Sequence, residues 1–187
     1  MLDPRVAPRT DAPAVATPQL VSLIGTPIAV IDNNKPRFDL FVKALLDELR
    51  DRHGSEPGLS FRKPNATNSA PAAWYDLIAE QGGAVIVGWG DCGSCSTYSF
   101  LDGAELVRRG IPTVVVISEA FTTLISMLAE SQGSENVPRL VLPHPPTDLD
   151  DQELINLAKE RAPEVAALLR GEHSPGSATP DFDSEIG

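Results

Sequence analysis

Five short apolar runs recur along the chain, and a stretch with helical spacing follows each of them. The runs are Pro27–Ile31, Leu59–Arg62, Ala84–Val87, Pro112–Ile117 and Arg139–Leu142. Between Arg37 and Arg52 the apolar residues fall at Phe38, Phe41, Val42, Leu45, Leu46 and Leu49. That spacing gives a helix one apolar stripe. Further helices are expected over Ala72–Glu80, from about Ser94 through Arg109, over Ala120–Glu130 and over Asp150–Arg170. Strict alternation of strand and helix implies a parallel sheet with right-handed crossovers and helices on both faces. The runs AVIV and PTVVVI have no polar alternation, so they belong in the middle of the sheet. Leu59–Arg62 is weaker and belongs outside.

Five such units suggest a three-layer αβα domain with strand order 2-1-3-4-5, the flavodoxin-like arrangement. The expected domain spans 25–170. Residues 1–24, rich in Pro, Ala and Thr, are expected as an extended or disordered arm, and residues 171–187 as a flexible polar tail. A chain of 187 residues is long enough for one domain with a real core.

Charge and cysteine count narrow the function. The formal net charge of −11 argues against a nucleic-acid partner, which needs a basic surface. No apolar run approaches the roughly 18 residues of a membrane span, and the start of the chain has no apolar signal core. The expected location is the cytoplasm. There, two cysteines are not a disulfide framework. Cys92 and Cys95 are the only thiols, and they sit two residues apart in a glycine-rich turn, VIVGWGDCGSCSTYSF.

In an open parallel sheet, ligands bind beyond the carboxyl ends of the strands where the strand order reverses. For order 2-1-3-4-5 this joins the loop after the first strand, with Asp32, Asn33 and Lys35, to the turn Gly88–Cys95 after the third. Ser118 and His144, after the fourth and fifth strands, belong to the same rim. Glycines 88, 90 and 93 are expected to supply positive φ and close backbone approach. A helix starting near Ser94 would aim free N–H groups at a thiolate or an anionic substrate. Trp89 is expected to line the pocket or a subunit interface. The pattern Gly88-x-Gly90-x-x-Gly93 follows the wrong strand for a dinucleotide fingerprint and is read as coincidence.

At these residues the chain resembles the UGSC family of (seleno)proteins. The matching segments are Gly90-Asp91-Cys92-Gly93-Ser94-Cys95-Ser96, the helix with Asp102 and Glu105, Arg109–Val115, Ile31–Pro36 and Leu142–Pro145. In that family the position of Cys92 is selenocysteine in some members and cysteine in others. The turn is also distantly similar to that of the selenocysteine subunit of glycine and betaine reductases. The resemblance implies that Cys92 is the reactive chalcogen and Cys95 its partner.

The expected activity is therefore that of a thiol-dependent enzyme, an oxidoreductase acting on a small polar electrophile. Cys92 is the nucleophile, Cys95 the resolving thiol and His144 the acid/base. Asp32, Asn33, Lys35, Gly90, Asp91, Gly93, Ser94, Ser96 and Ser118 are the candidate substrate contacts. No resident cofactor is expected, though an external thiol would serve as reductant, and a metal at Cys92 and Cys95 is the minor alternative. A non-redox lyase or hydrolase, and a site-sharing subunit of a larger complex, are the other readings. A homo- or hetero-oligomer is expected.

Overall fold

The computed structural model describes residues 16–172. Residues 1–15 of the expected arm, and residues 173–187 of the expected tail with His173, lie outside the described residues. Five strands and five helices alternate: β1 (Pro27–Asp32), α1 (Phe38–His53), β2 (Glu56–Arg62), α2 (Ala72–Gln81), β3 (Ala84–Gly90), α3 (Gly93–Arg108), β4 (Thr113–Ser118), α4 (Thr122–Gln132), β5 (Arg139–Leu142) and α5 (Asp151–Leu169). The sheet is parallel throughout, in the order β2-β1-β3-β4-β5. This is the expected flavodoxin-like arrangement.

Side chains alternate across each strand and so divide the core in two. Ile28, Val30, Ile86, Val114 and Val116 face α1 and α5. Ala29, Ile31, Val85 and Val87 face α2 and the end of α3, while Val115 and Ile117 face α3 and α4. The central strands β3 and β4 are buried along their whole length, which is why they read as unbroken apolar runs. Residues 16–24 run against this core: Leu23 is buried, and the Leu20 N–H donates to the Leu169 carbonyl at 2.9 Å. Helix α5 opens with a capping box in which Asp150 and Glu153 satisfy each other's backbone N–H groups.

Two features depart from the expectation. Strand β3 runs on through Gly88 and Trp89 to Gly90 instead of ending at Val87. In continuing the strand, Trp89 turns into the core, with its ring 5.6 Å from Phe38 and 5.7 Å from Phe41. It therefore lines neither a pocket nor a subunit interface. The glycines also act differently from the expectation. None of Gly88, Gly90 and Gly93 has positive φ. Gly88 and Gly90 are small because neighbours press on them: a Cβ on Gly90 would strike the backbone of Ser96, and one on Gly88 would press on Phe38 and Val116.

A buried ion pair joins β2 to α3. Lys63 lies just past β2, and its Nζ is 2.8 Å from Asp102 Oδ2; both side chains are almost wholly buried. Asp102 also accepts from the Tyr75 hydroxyl at 2.8 Å and from the Ala70 N–H at 3.0 Å, and Lys63 donates to the Asn68 carbonyl at 2.8 Å. Burial, reinforced by the Asp102 charge, pushes the Tyr75 hydroxyl well above its ordinary range, so it remains a donor. The loop 63–71 is thereby tied to the helix that carries both cysteines.

Candidate active site

Strands β1 and β3 are neighbours whose crossovers leave in opposite directions, toward β2 and toward β4. The loops that follow them part at this point, which in open parallel sheets is where ligands bind. The Asn33 N–H donates to the Gly88 carbonyl at 2.6 Å, extending the β1–β3 ladder by one step. The Asn33 side chain is fully buried, and its Nδ2 donates to the Cys95 carbonyl at 3.2 Å. One asparagine thus links the loop after β1 to the first turn of α3.

Helix α3 begins one residue earlier than its sequence signals. Cys92 is its N-cap, with extended backbone, and the Cys92 sulfur accepts the Cys95 N–H at 3.3 Å. Ser96 N–H bonds the Cys92 carbonyl at 2.9 Å, and the Thr97 hydroxyl bonds the Gly93 carbonyl. The CxxC spacing places one sulfur at the cap and the other one turn along. They are joined as a disulfide, with Cα atoms 5.2 Å apart. Their exposures differ: Cys92 is half-buried while Cys95 is 2% exposed. The more exposed of the two cysteines is also the one placed at the positive end of the helix.

Charge around Cys92 is arranged by Lys35 and Asp91, whose Nζ and Oδ1 are 2.9 Å apart. The carboxylate oxygen is buried and has no hydrogen-bond partner besides this ammonium. A pair of this kind near the surface contributes at most about 1 kcal/mol to stability. Its larger effect is local, because it sets an ammonium against the carboxylate that lies within 4.8 Å of both sulfurs. Asp32 faces the other way. Its Oδ1 accepts the Asn34 N–H at 2.7 Å and its Oδ2 pairs with Arg62 Nε at 2.6 Å. It shapes the loop, and its side-chain bonds run to Asn34 and Arg62.

The far side of the rim is built by β4 and β5. The Ser118 hydroxyl and His144 Nδ1 are 3.0 Å apart, and the His144 N–H reaches Glu119 Oε1 at 3.3 Å. Phe121 packs edge-on against the imidazole at 5.6 Å. His144 is exposed, and its Nε2 makes no hydrogen bond among the described residues. Arg37 closes the circle. From the start of α1 it donates to the carbonyls of Thr147 (3.0 Å) and Leu149 and pairs with Asp151, fastening the first loop to the last.

The structure therefore brings together Asn33 with Cys95, Lys35 with Asp91, Gly90 with Ser96, and Ser118 with His144. Ser94 is exposed, with its hydroxyl 3.7 Å from the Cys92 sulfur, whereas the Ser96 hydroxyl is buried without a partner. Ser96 supports the turn from behind.

The UGSC family profile matches residues 1–171. The chain belongs to the UGSC family. No curated protein matches this UGSC member. The match covers the whole described domain, including every residue of the rim.

The ligand set for a metal is small. The Asp91 carboxylate and the two sulfurs lie within 4.8 Å of one another. Joined in a disulfide the sulfurs are poor ligands, and only the dithiol form would offer two thiolates and a carboxylate, a set suited to a borderline cation such as zinc. Among the described residues no helix is long and apolar enough to cross a membrane.

Proposed function

We propose that this UGSC protein is a thiol-dependent oxidoreductase that reduces a small polar electrophile at the CGSC turn. The carrying observation is the unequal exposure of a bonded cysteine pair: Cys92 is half-open at the helix cap and Cys95 is buried behind it. A nucleophile must be reachable and a resolving thiol must be held close to it, and the pair supports both needs.

The Cys92 thiolate attacks the electrophilic atom of the substrate. The bond to its leaving group breaks, and His144 supplies the proton that the leaving group takes. The Cys95 thiolate then attacks the Cys92 sulfur. The sulfur–substrate bond breaks, its electron pair departs with the product, and a second proton is taken up. The substrate gains two electrons and two protons, and the pair ends as the disulfide. An external thiol reductant returns it to the dithiol by exchange. The free N–H groups at the start of α3 and the Lys35 ammonium favour the anion at each stage. Lys35, Asp91 and Ser94 are the accessible polar groups around the turn that would orient the substrate, with Asn33 and Ser118 buried behind them. Such a cycle suits the cytoplasm, where thiols are kept reduced.

A thiol count tests this. Reduced protein, freed of reductant and given a limiting electrophile, should lose two thiols per product formed. Turnover with no loss of thiols would replace the redox cycle by a lyase or hydrolase reaction at the same cysteine.

A further inference from the structure

Strand β2 presents Glu56, Gly58, Ser60 and Arg62 toward α1, while Leu59 and Phe61 turn to the other face of the sheet. On the α1 side the edge strand therefore supplies only Pro57 as an apolar side chain. Gly58 is required there, because β2 carries one extra residue opposite Ala29 and a Cβ would collide with the backbone of Ile28 and Ala29. The result is a cleft of about 380 Å³ between α1 and β2, with Ile28, Val30, Val42 and Leu46 on its walls. Apolar walls left open at a sheet edge gain from being covered, at about 25 cal/mol per Å² removed from water.

The charges on this face indicate what covers it. Along the cleft, α1 carries Asp39, Lys43, Asp47 and Arg50 in alternating sign, and β2 has Glu56 at one end and Arg62 at the other. Arg62 pairs with Asp39 at 3.3 Å, so the two elements are level at the top, and Glu56 and Arg50 line the same cleft toward the other end. The 16 residues of α1 span about 24 Å, and the 7 residues of β2 about 23 Å. One two-fold axis beside Leu59 would therefore serve both. It would set Glu56 opposite the partner's Arg62, Asp39 opposite the partner's Arg50 and Lys43 opposite the partner's Asp47, with Leu46 near the axis against its own copy. The pattern is self-complementary, as an isologous interface must be.

We propose that the α1–β2 face is the surface on which two copies of this chain pair, antiparallel, with α1 against α1. Lys43 and Arg50 now pair with Asp47 on their own helix, at 2.8 and 3.0 Å. Exposed pairs of this kind are weak, so exchanging them for pairs across the axis costs little. Pro57 has no N–H, and Gln81 already accepts the Leu59 N–H at 3.0 Å. Side chains make the contact, and the sheet is not continued. The proposal is independent of the chemistry at the cysteines.

The test is the mass in solution of the full chain, measured by light scattering or sedimentation. The wild type should weigh twice its 20.0 kDa. Lys43→Glu makes the flank acidic and Asp47→Lys makes it basic, so each alone should weaken pairing about 100-fold or more. An equimolar mixture of the two variants should pair again, since each 43–47 contact then joins opposite charges. Circular dichroism confirms that each variant is folded. A wild-type mass of 20.0 kDa at every concentration would overturn the proposal. So would a dimer indifferent to both substitutions, or two folded variants that stay apart when mixed.

Discussion

Cys92→Ser should abolish the reduction of a small disulfide by this protein, while Cys95→Ser should stop the same reaction halfway. With hydroxyethyl disulfide as the electrophile, wild-type dithiol attacks through Cys92 and expels the first half as a thiol. Cys95 then displaces the second half and closes the protein disulfide. Removing the nucleophile should lower the rate by on the order of 10⁴-fold or more. Removing Cys95 leaves the first step intact, so one half of the probe should remain on the tryptic peptide containing Cys92. Serine cannot replace either sulfur, because its hydroxyl is neither ionised near neutrality nor able to form the mixed disulfide. An adduct on Cys95 in the Cys92→Ser variant, formed at the wild-type rate, would reverse the two roles.

The largest effect on stability is expected away from the cysteines. Lys63→Met should destabilise the domain by about 3–5 kcal/mol, because it leaves the Asp102 carboxylate buried without its cation. The remaining donors, the Tyr75 hydroxyl and the Ala70 N–H, do not neutralise it. Combining Lys63→Met with Asp102→Asn should recover part of the loss, since no charge is then left buried and the amide oxygen still accepts from the Tyr75 hydroxyl and the Ala70 N–H. Urea unfolding of the two variants measures both results. Equal stabilities for the single and double variants would mean that the pair does not couple the loop 63–71 to α3.

This ion pair also shows where the sequence stops being legible. The alternation of apolar runs with helical stripes was sufficient for the sheet, its order and the two faces, because it reflects burial on one side or on both. It was also sufficient to bring the loop after β1 against the turn after β3. Lys63 gave no such sign: a lysine past an edge strand looks like any solvated charge, and its burial depends on a loop folding back over it. Asp102 left a faint trace, a carboxylate among the inward positions of α3. Trp89 reads as a turn residue because glycines flank it, whereas Gly88 and Gly90 are needed for close packing within the strand. The contact of His144 with Ser118 joins residues 26 apart. The strand order places both on one rim, but the hydrogen bond between them depends on the level ends of β4 and β5, which periodicity does not reveal.

The most direct test of the central claim is the order in which the two thiols of the reduced, folded protein react with iodoacetamide, followed by peptide mass spectrometry. Cys92 should be carbamidomethylated first and Cys95 only after unfolding, because the first sulfur sits half-open at the start of α3 and the second is sealed beneath it. Labelling of Cys95 as fast as Cys92, or no labelling of either until the protein unfolds, would contradict the account.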